Sequence, residues 1–274
     1  MMKHNTARSN DTGVSESIGF MLIFTIVIAG IALVTLYGYP LLLKQQLGAE
    51  EKIMEKNMIV LQNDMKSLAY KTVPFKETSL KIGGGSLTVY NSSYSPSSSS
   101  LSISYTGFGN PIVDSFKPGE LRYESISAQT DISLQNGAVV MRPRIQTGST
   151  MLAEPRWFYD APTKTMVINL INITSDNLMA KEGIGTVRMK LGETNYTYID
   201  INGQKITIDY IPDSVQDYSV AWDNFMMKTF STRPGLNFER DSGTPPGTGS
   251  VVKYSLSPVD ILVIKKYEVK IESI

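Results

Sequence analysis

Ile18–Tyr39, IGFMLIFTIVIAGIALVTLYGY, is a run of 22 residues without one charged side chain. As a helix rising about 1.5 Å per residue it reaches roughly 33 Å, close to the hydrocarbon thickness of a bilayer. No other stretch approaches this apolar length, and everything after Lys44 is polar enough for water. The chain thus joins an apolar helix to a large water-compatible body, and the helix decides where that body sits.

Residues 1–17, MMKHNTARSNDTGVSES, are polar and precede this run, with Lys3 and Arg8 as their basic residues. Positive charge before an apolar span favours a cytoplasmic N-terminus and an external body. Lys44, Lys52 and Lys56 on the other flank oppose that bias. A secretory signal peptide has an apolar region of about 7–15 residues and a small-residue cleavage site. This run is longer and ends in Tyr37-Gly38-Tyr39-Pro40, whose aromatics suit a membrane–water interface.

The segment Gly13-Val14-Ser15-Glu16-Ser17-Ile18-Gly19, leading straight into the apolar run, resembles the N-terminus of archaeal type IV pilins and archaellins. The resemblance is specific over about residues 13–40. It implies a prepilin peptidase that cuts after Gly13, leaves Val14 first and keeps the helix. The sequence departs from the family at Asp11-Thr12, where a basic residue is usual. The whole chain also resembles uncharacterised archaeal pilin-like surface proteins. The shared features are the VSExIG start, a glycine-rich first hairpin and the apolar run Val167–Thr174 closed by Asn-Ile-Thr. In such a filament the helices pack together. Gly19, Ala29, Gly30 and Ala32 are small enough for close approach. Glu16 is then either a partner for a neighbour's Val14 amine or an interfacial carboxylate in water.

Composition removes many chemistries. Lys+Arg and Asp+Glu are 26 each among 274 residues, so there is no bulk electrostatic reason to bind nucleic acid. Cysteine is absent, and the one histidine, His4, lies in the leader. Disulfides, thiolate nucleophiles, Ser-His-Asp sites and His-based metal sites are therefore excluded from the body. Gly83-Gly84-Gly85 lacks the Lys-Ser/Thr of a phosphate loop and is read as a hairpin turn. Asp209, Asp213 and Asp217 do not match a calcium loop and read as surface carboxylates. No catalytic, cofactor or metal residue is assigned.

After Pro40, where a kink or melting is expected, residues 41–73 read as a helical stem. Leu47, Met54, Met58, Leu61, Met65 and Leu68 make one apolar stripe, either a contact with the body or a self-association seam. The stem stops near Lys71, because Val73 precedes Pro74. From Ser79 onward apolar and polar residues alternate between turn signals. Asn136-Gly137 and Asn202-Gly203 are read as hairpin turns. A helix is expected within 213–231, capped by Asp213 or Ser214.

The expected fold is α+β: a long N-terminal hydrophobic helix, an amphipathic stem, and a mainly antiparallel β-sandwich-like domain. Its parts are leader 1–13, apolar helix 14–40, stem 41–73 and body 74–274, with a possible division near 143–162. Asn91, Asn172 and Asn195 are glycosylation acceptors if the body is exported, while Asn10 lies in the leader. The expected partners are the membrane, a prepilin peptidase and other copies or pilin-like subunits. The expected function is a non-enzymatic structural or adhesive subunit, in the cell membrane or an external filament. The alternatives are an anchored envelope-binding or receptor module that never polymerises, and an anchored hydrolase.

Overall fold

The computed structural model describes residues 11–71, 73–93, 99–107, 109–126, 128–243 and 245–274, and of residues 11–15 and 47 the backbone alone. Two compact units divide the chain, Met1–Ala49 and Glu50–Ile274. The boundary thus lies inside the stretch read as stem, not at its ends.

The first unit holds α1 (Asp11–Leu33), a π-helical turn (Val34–Gly38) and the start of α2 (Tyr39–Tyr70). Proline accounts for the π turn. Pro40 has no N–H to offer the Leu36 carbonyl, and its ring crowds that group. The helix widens just before it, with the Tyr39 N–H donated to the Val34 carbonyl, and then winds on. The interruption expected at Pro40 is therefore a change of winding without loss of helix.

The second unit begins with the rest of α2. Met54, Met58, Leu61, Met65 and Leu68 are fully buried, in one core with strand residues such as Leu87, Leu121 and Val269. Of the two readings of the stripe, contact with the chain's own body is the one observed. Leu47 lies outside the described side chains. Five buried side chains at about 2 kcal/mol each contribute roughly 10 kcal/mol, comparable to the net stability of a whole domain. Gln62 adds direction, its Nε2 donating to the carbonyls of Gly137 (2.8 Å) and Glu154 (3.0 Å).

Among the described residues twelve strands follow in one sheet. They are β1 (Phe75–Tyr90), β2 (Ser100–Tyr105), β3 (Val113–Phe116), β4 (Glu120–Ser125), β5 (Thr130–Gln135) and β6 (Ala138–Pro143). Then come β7 (Thr150–Ala153), β8 (Phe158–Asp160), β9 (Thr165–Ser175), β10 (Met179–Ile211), β11 (Asn237–Arg240) and β12 (Val252–Ser273), with α3 (Ser219–Phe230) between β10 and β11. The order is β7-β6-β5-β4-β1-β10-β12-β9-β8, with β2 on β10 and β11 on β12. The fold is α+β and mostly antiparallel. β9 and β12 run parallel, from Thr165↔Ile261 to Ser175↔Ile271.

Alternation along β12 and β9 feeds two cores. Leu262, Ile264, Met166, Ile168 and Leu170 join the core that includes α3 residues Trp222 and Phe225. Val269, Ile271, Ile171 and Ile173 face the core containing α2. Because both cores use the same strands, the division expected near 143–162 is replaced by two faces of one unit.

Two local expectations change and one holds. Gly83–Gly85 does not turn the chain; it is an irregularity inside β1, where the pairing with β10 shifts between Ile82 and Leu87. A Cβ on Gly85 would lie 2.2 Å from the Glu124 carbonyl oxygen, so the glycine permits β4 to approach. Asn202-Gly203 has positive φ at both residues but lies within β10, which pairs with β12 on either side of it. Met179–Ile211 is therefore one continuous strand. Asn136-Gly137 does join β5 to β6, with φ of 47° and 71°, as a type I′ turn requires.

A chain beginning at Thr72 is expected not to fold cooperatively, since it lacks the α2 half of one core. Leu61→Ala in the full chain should cost about 2–5 kcal/mol, read as a lower urea midpoint. An unchanged midpoint would show that the stripe is not core.

Candidate functional site

The first unit's helix carries a long uncovered apolar surface. Every large apolar side chain from Ile18 to Tyr39 is between 49 and 73 % exposed. Leu41, Leu42 and Leu43 continue this surface, so the uncovered run reaches Lys44. At about 1.5 Å per residue, Ile18–Leu43 spans roughly 39 Å, enough to cross a bilayer with tilt. One helix among the described residues, within Glu16–Tyr70, is long and apolar enough to cross a membrane.

Gly13 and Val14 lie in the backbone of α1, and their side chains are outside the described ones. Residues 1–10 of the expected leader, Asn10 included, are also outside the described residues. Gly19, Ala29, Gly30 and Ala32 are all exposed. A Cβ on Gly19 or Gly30 would meet nothing within 4 Å. At 100° per residue the four fall within an arc of about 160°, one half of the helix. Glu16 is exposed.

The three glycan acceptors differ in access. Asn91 Nδ2 donates to the Ser175 carbonyl at 2.5 Å, while its Oδ1 accepts from the Ser93 N–H. Asn172 is half-buried within β9, its Oδ1 enclosed without a partner among the described residues. Asn195 is exposed on β10. Neither exposure nor prior hydrogen bonding is visible in an Asn-x-Ser/Thr triplet. The three aspartates near α3 act locally. Asp213 Oδ1 accepts from the N–H groups of Val215 and Gln216, Asp217 accepts from Ser219 and Gly249, and Asp209 faces Lys253 at 3.7 Å. Among the described residues no group of three or more acidic or histidine side chains is placed to hold a metal.

Residues 12–270 match a family described as one of unknown function, DUF7289. The chain belongs to the DUF7289 family. No curated protein and no solved structure matches it. The match starts inside α1 and ends inside β12, so the apolar helix belongs to the family pattern together with the sheet.

The DUF7289 body also buries charge. Arg122, 7 % exposed, lies between Glu120 and Glu124 on β4 and over the Tyr90 ring, 4.2 Å from its centroid. Glu120 accepts from Arg122 and from the Ser133 hydroxyl; Glu124 accepts from Arg122 and the Tyr90 hydroxyl. Burial works against the Arg122 charge, and Glu120 overrides it, so the guanidinium is held more firmly protonated than usual. Strand spacing alone places 120, 122 and 124 on one face, a signal the sequence offered once β4 was assigned. A second group absent from the sequence reading is Arg156, Tyr196 and Lys265, which line a hollow beside the end of α2.

Asp131 is fully buried and pairs with Arg144 Nε at 2.7 Å. Burial raises its pKa, against the lowering by Arg144. An acid whose folded pKa exceeds its unfolded value binds more protons when folded. Its contribution to stability is present below the unfolded pKa and fades as pH rises through the folded one. Asp131→Asn should flatten that fall, read from urea midpoints between about pH 3 and about pH 6. An unaltered slope would remove Asp131 as its source.

Proposed function

We propose that this DUF7289 protein is a membrane-anchored surface protein of pilin-like build. The apolar helix is retained after maturation and the β-rich body lies outside the cell as a structural or adhesive head. The observation that carries this is the uncovered apolar surface from Ile18 to Leu43. At about 25 cal/mol per Å² such a surface is strongly driven out of water. A helix satisfies its own backbone groups and so fits lipid. The small residues on one half of α1 support close approach of a second copy or a related subunit, and the 13–19 segment supports prepilin-type processing.

Three readouts separate the parts of this reading. The native polypeptide should sediment with membranes and resist alkaline carbonate. Ile28→Lys with Ile31→Lys should release or destroy it, since each mid-span charge opposes insertion by about 3 kcal/mol. Its N-terminal residue should be Val14; a start at Met1 or Met2 removes prepilin processing. Ala29→Leu with Gly30→Leu should abolish filaments in sheared surface material while leaving insertion intact. Membrane protein with no filaments in the wild type assigns the chain to the anchored, non-polymerising alternative.

A further inference from the structure

Where α2 stops, the sheet beneath it continues. On one face of β12, Val269 and Ile271 are buried under the helix, Tyr267 is 5 % exposed, and Lys265 is only half-buried. The register carries this face across the sheet: Tyr196 on β10 opposes Lys265, and Lys265 opposes Asn169 on β9. Asn169 Nδ2 in turn donates to the Arg156 carbonyl. The result is a hollow of about 440 Å³, opening beside a second of about 660 Å³ that shares Tyr70 and Arg156. Both sizes suit a small organic ligand.

The chemistry of the first hollow is one-sided. Its wall has three tyrosines, one phenylalanine, two cations and no carboxylate. Tyr70 stands edge-on to Tyr267 at 5.5 Å, and Tyr267 edge-on to Tyr196 at 6.0 Å. The Arg156 guanidinium is 4.9 Å from the Tyr70 ring centroid, and Lys265 Nζ is 5.9 Å from that of Tyr196. Twelve ion pairs join described residues, and neither Arg156 nor Lys265 is in one. Tyr196 is 60 % exposed and Phe158 39 %. Burial, then the Tyr196 neighbour, pushes the Tyr267 pKa up to about 12, and burial raises that of Tyr70. Their hydroxyls therefore stay protonated and able to donate.

We propose that this hollow binds an acidic saccharide, the carboxylate held by Arg156 and Lys265 and the sugar ring laid on Tyr196. A guanidinium meets a carboxylate with two parallel hydrogen bonds, and a lysine adds a point charge. A tyrosine offers an apolar ring for the C–H face of a pyranose and a hydroxyl for its polar edge. A nucleic-acid strand fits less well. It requires a basic track along the backbone, whereas this chain carries equal numbers of acidic and basic residues and the hollow holds two cations. The site lies wholly on the second unit and does not rest on how the chain is anchored.

The test is calorimetric titration of the full chain in a neutral detergent with tri-galacturonate. Its neutral methyl ester and an oligothymidylate serve as comparison ligands. A saturable isotherm with the acid is expected, weakened about tenfold or more by Arg156→Gln and by Lys265→Gln, and by Tyr196→Ala. All three side chains are accessible, so melting temperatures should hold. Lys253→Gln, at an ion pair elsewhere, should leave the isotherm alone. No binding of the acid, equal binding of the ester, tighter binding of the oligothymidylate, or indifference to all three variants overturns the proposal. None of these outcomes depends on filaments or membrane insertion.

Discussion

The structure depends on five side chains of one helix face. Met54, Met58, Leu61, Met65 and Leu68 close a core whose other walls are strands from β1 to β12. The sheet presents an apolar face there, and this helix covers it. Without the helix, Leu87, Val89, Leu121, Val187 and Val269, all now fully buried, would face water. The cost at about 25 cal/mol per Å² would exceed what a domain of this size usually holds in reserve. The stem is therefore not a spacer. It is one layer of the body, and Gln62 locks it to the β5–β6 turn and to Glu154 beyond β7.

That constraint gives the helices two kinds of surface. Up to Leu43 the side chains are apolar and uncovered; from Met54 one face is apolar and buried. Between them lie Lys44, Gln45, Gln46, Glu50, Glu51 and Lys52, the residues that tolerate a water interface. Pro40 falls just before this change, and the π turn lets the helix pass it with the Tyr39 N–H satisfied. The helices are thus apolar all round in one stretch and amphipathic in the next because their composition changes along their length.

Period and length carried most of the fold. The apolar run, the 3–4 spacing of the α2 stripe and the Asn136-Gly137 turn are local signals, and the structure agrees with each. The misreadings share a cause. Gly83–Gly85 and Asn202-Gly203 have turn chemistry, but each sits opposite a continuous partner strand, and the chain absorbs the glycines as irregularities within a ladder. Whether a glycine-containing turn signal reverses a chain or bends it is decided by what lies alongside, which a single sequence does not contain. The Arg122 cluster was hidden because β4 was not recognised between two loops. The hollow near Tyr70 was hidden because its parts come from α2, β8, β9, β10 and β12 and from Arg156 just before β8.

The hollow follows from the same constraint as the core. Val73-Pro74 ends α2, and beside its last residues, Ala69 and Tyr70, Lys265 of β12 and Asn169 of β9 line the hollow. A sheet face losing its cover has to exchange apolar side chains for ones compatible with water, and β12 does so between Val269 and Lys265. Water compatibility alone asks only for polarity and would be met by Thr, Ser or a paired Lys and Glu, as elsewhere on these strands, where Lys270 meets Asp176 and Thr174 meets Glu268. Three tyrosines in edge-to-face contact with one another, beside two cations in no ion pair among the described residues, go beyond that requirement. Aromatic surface left exposed beside unneutralised positive charge contributes little to the folded state by itself. It gains full worth only when an anion with an apolar face displaces the water.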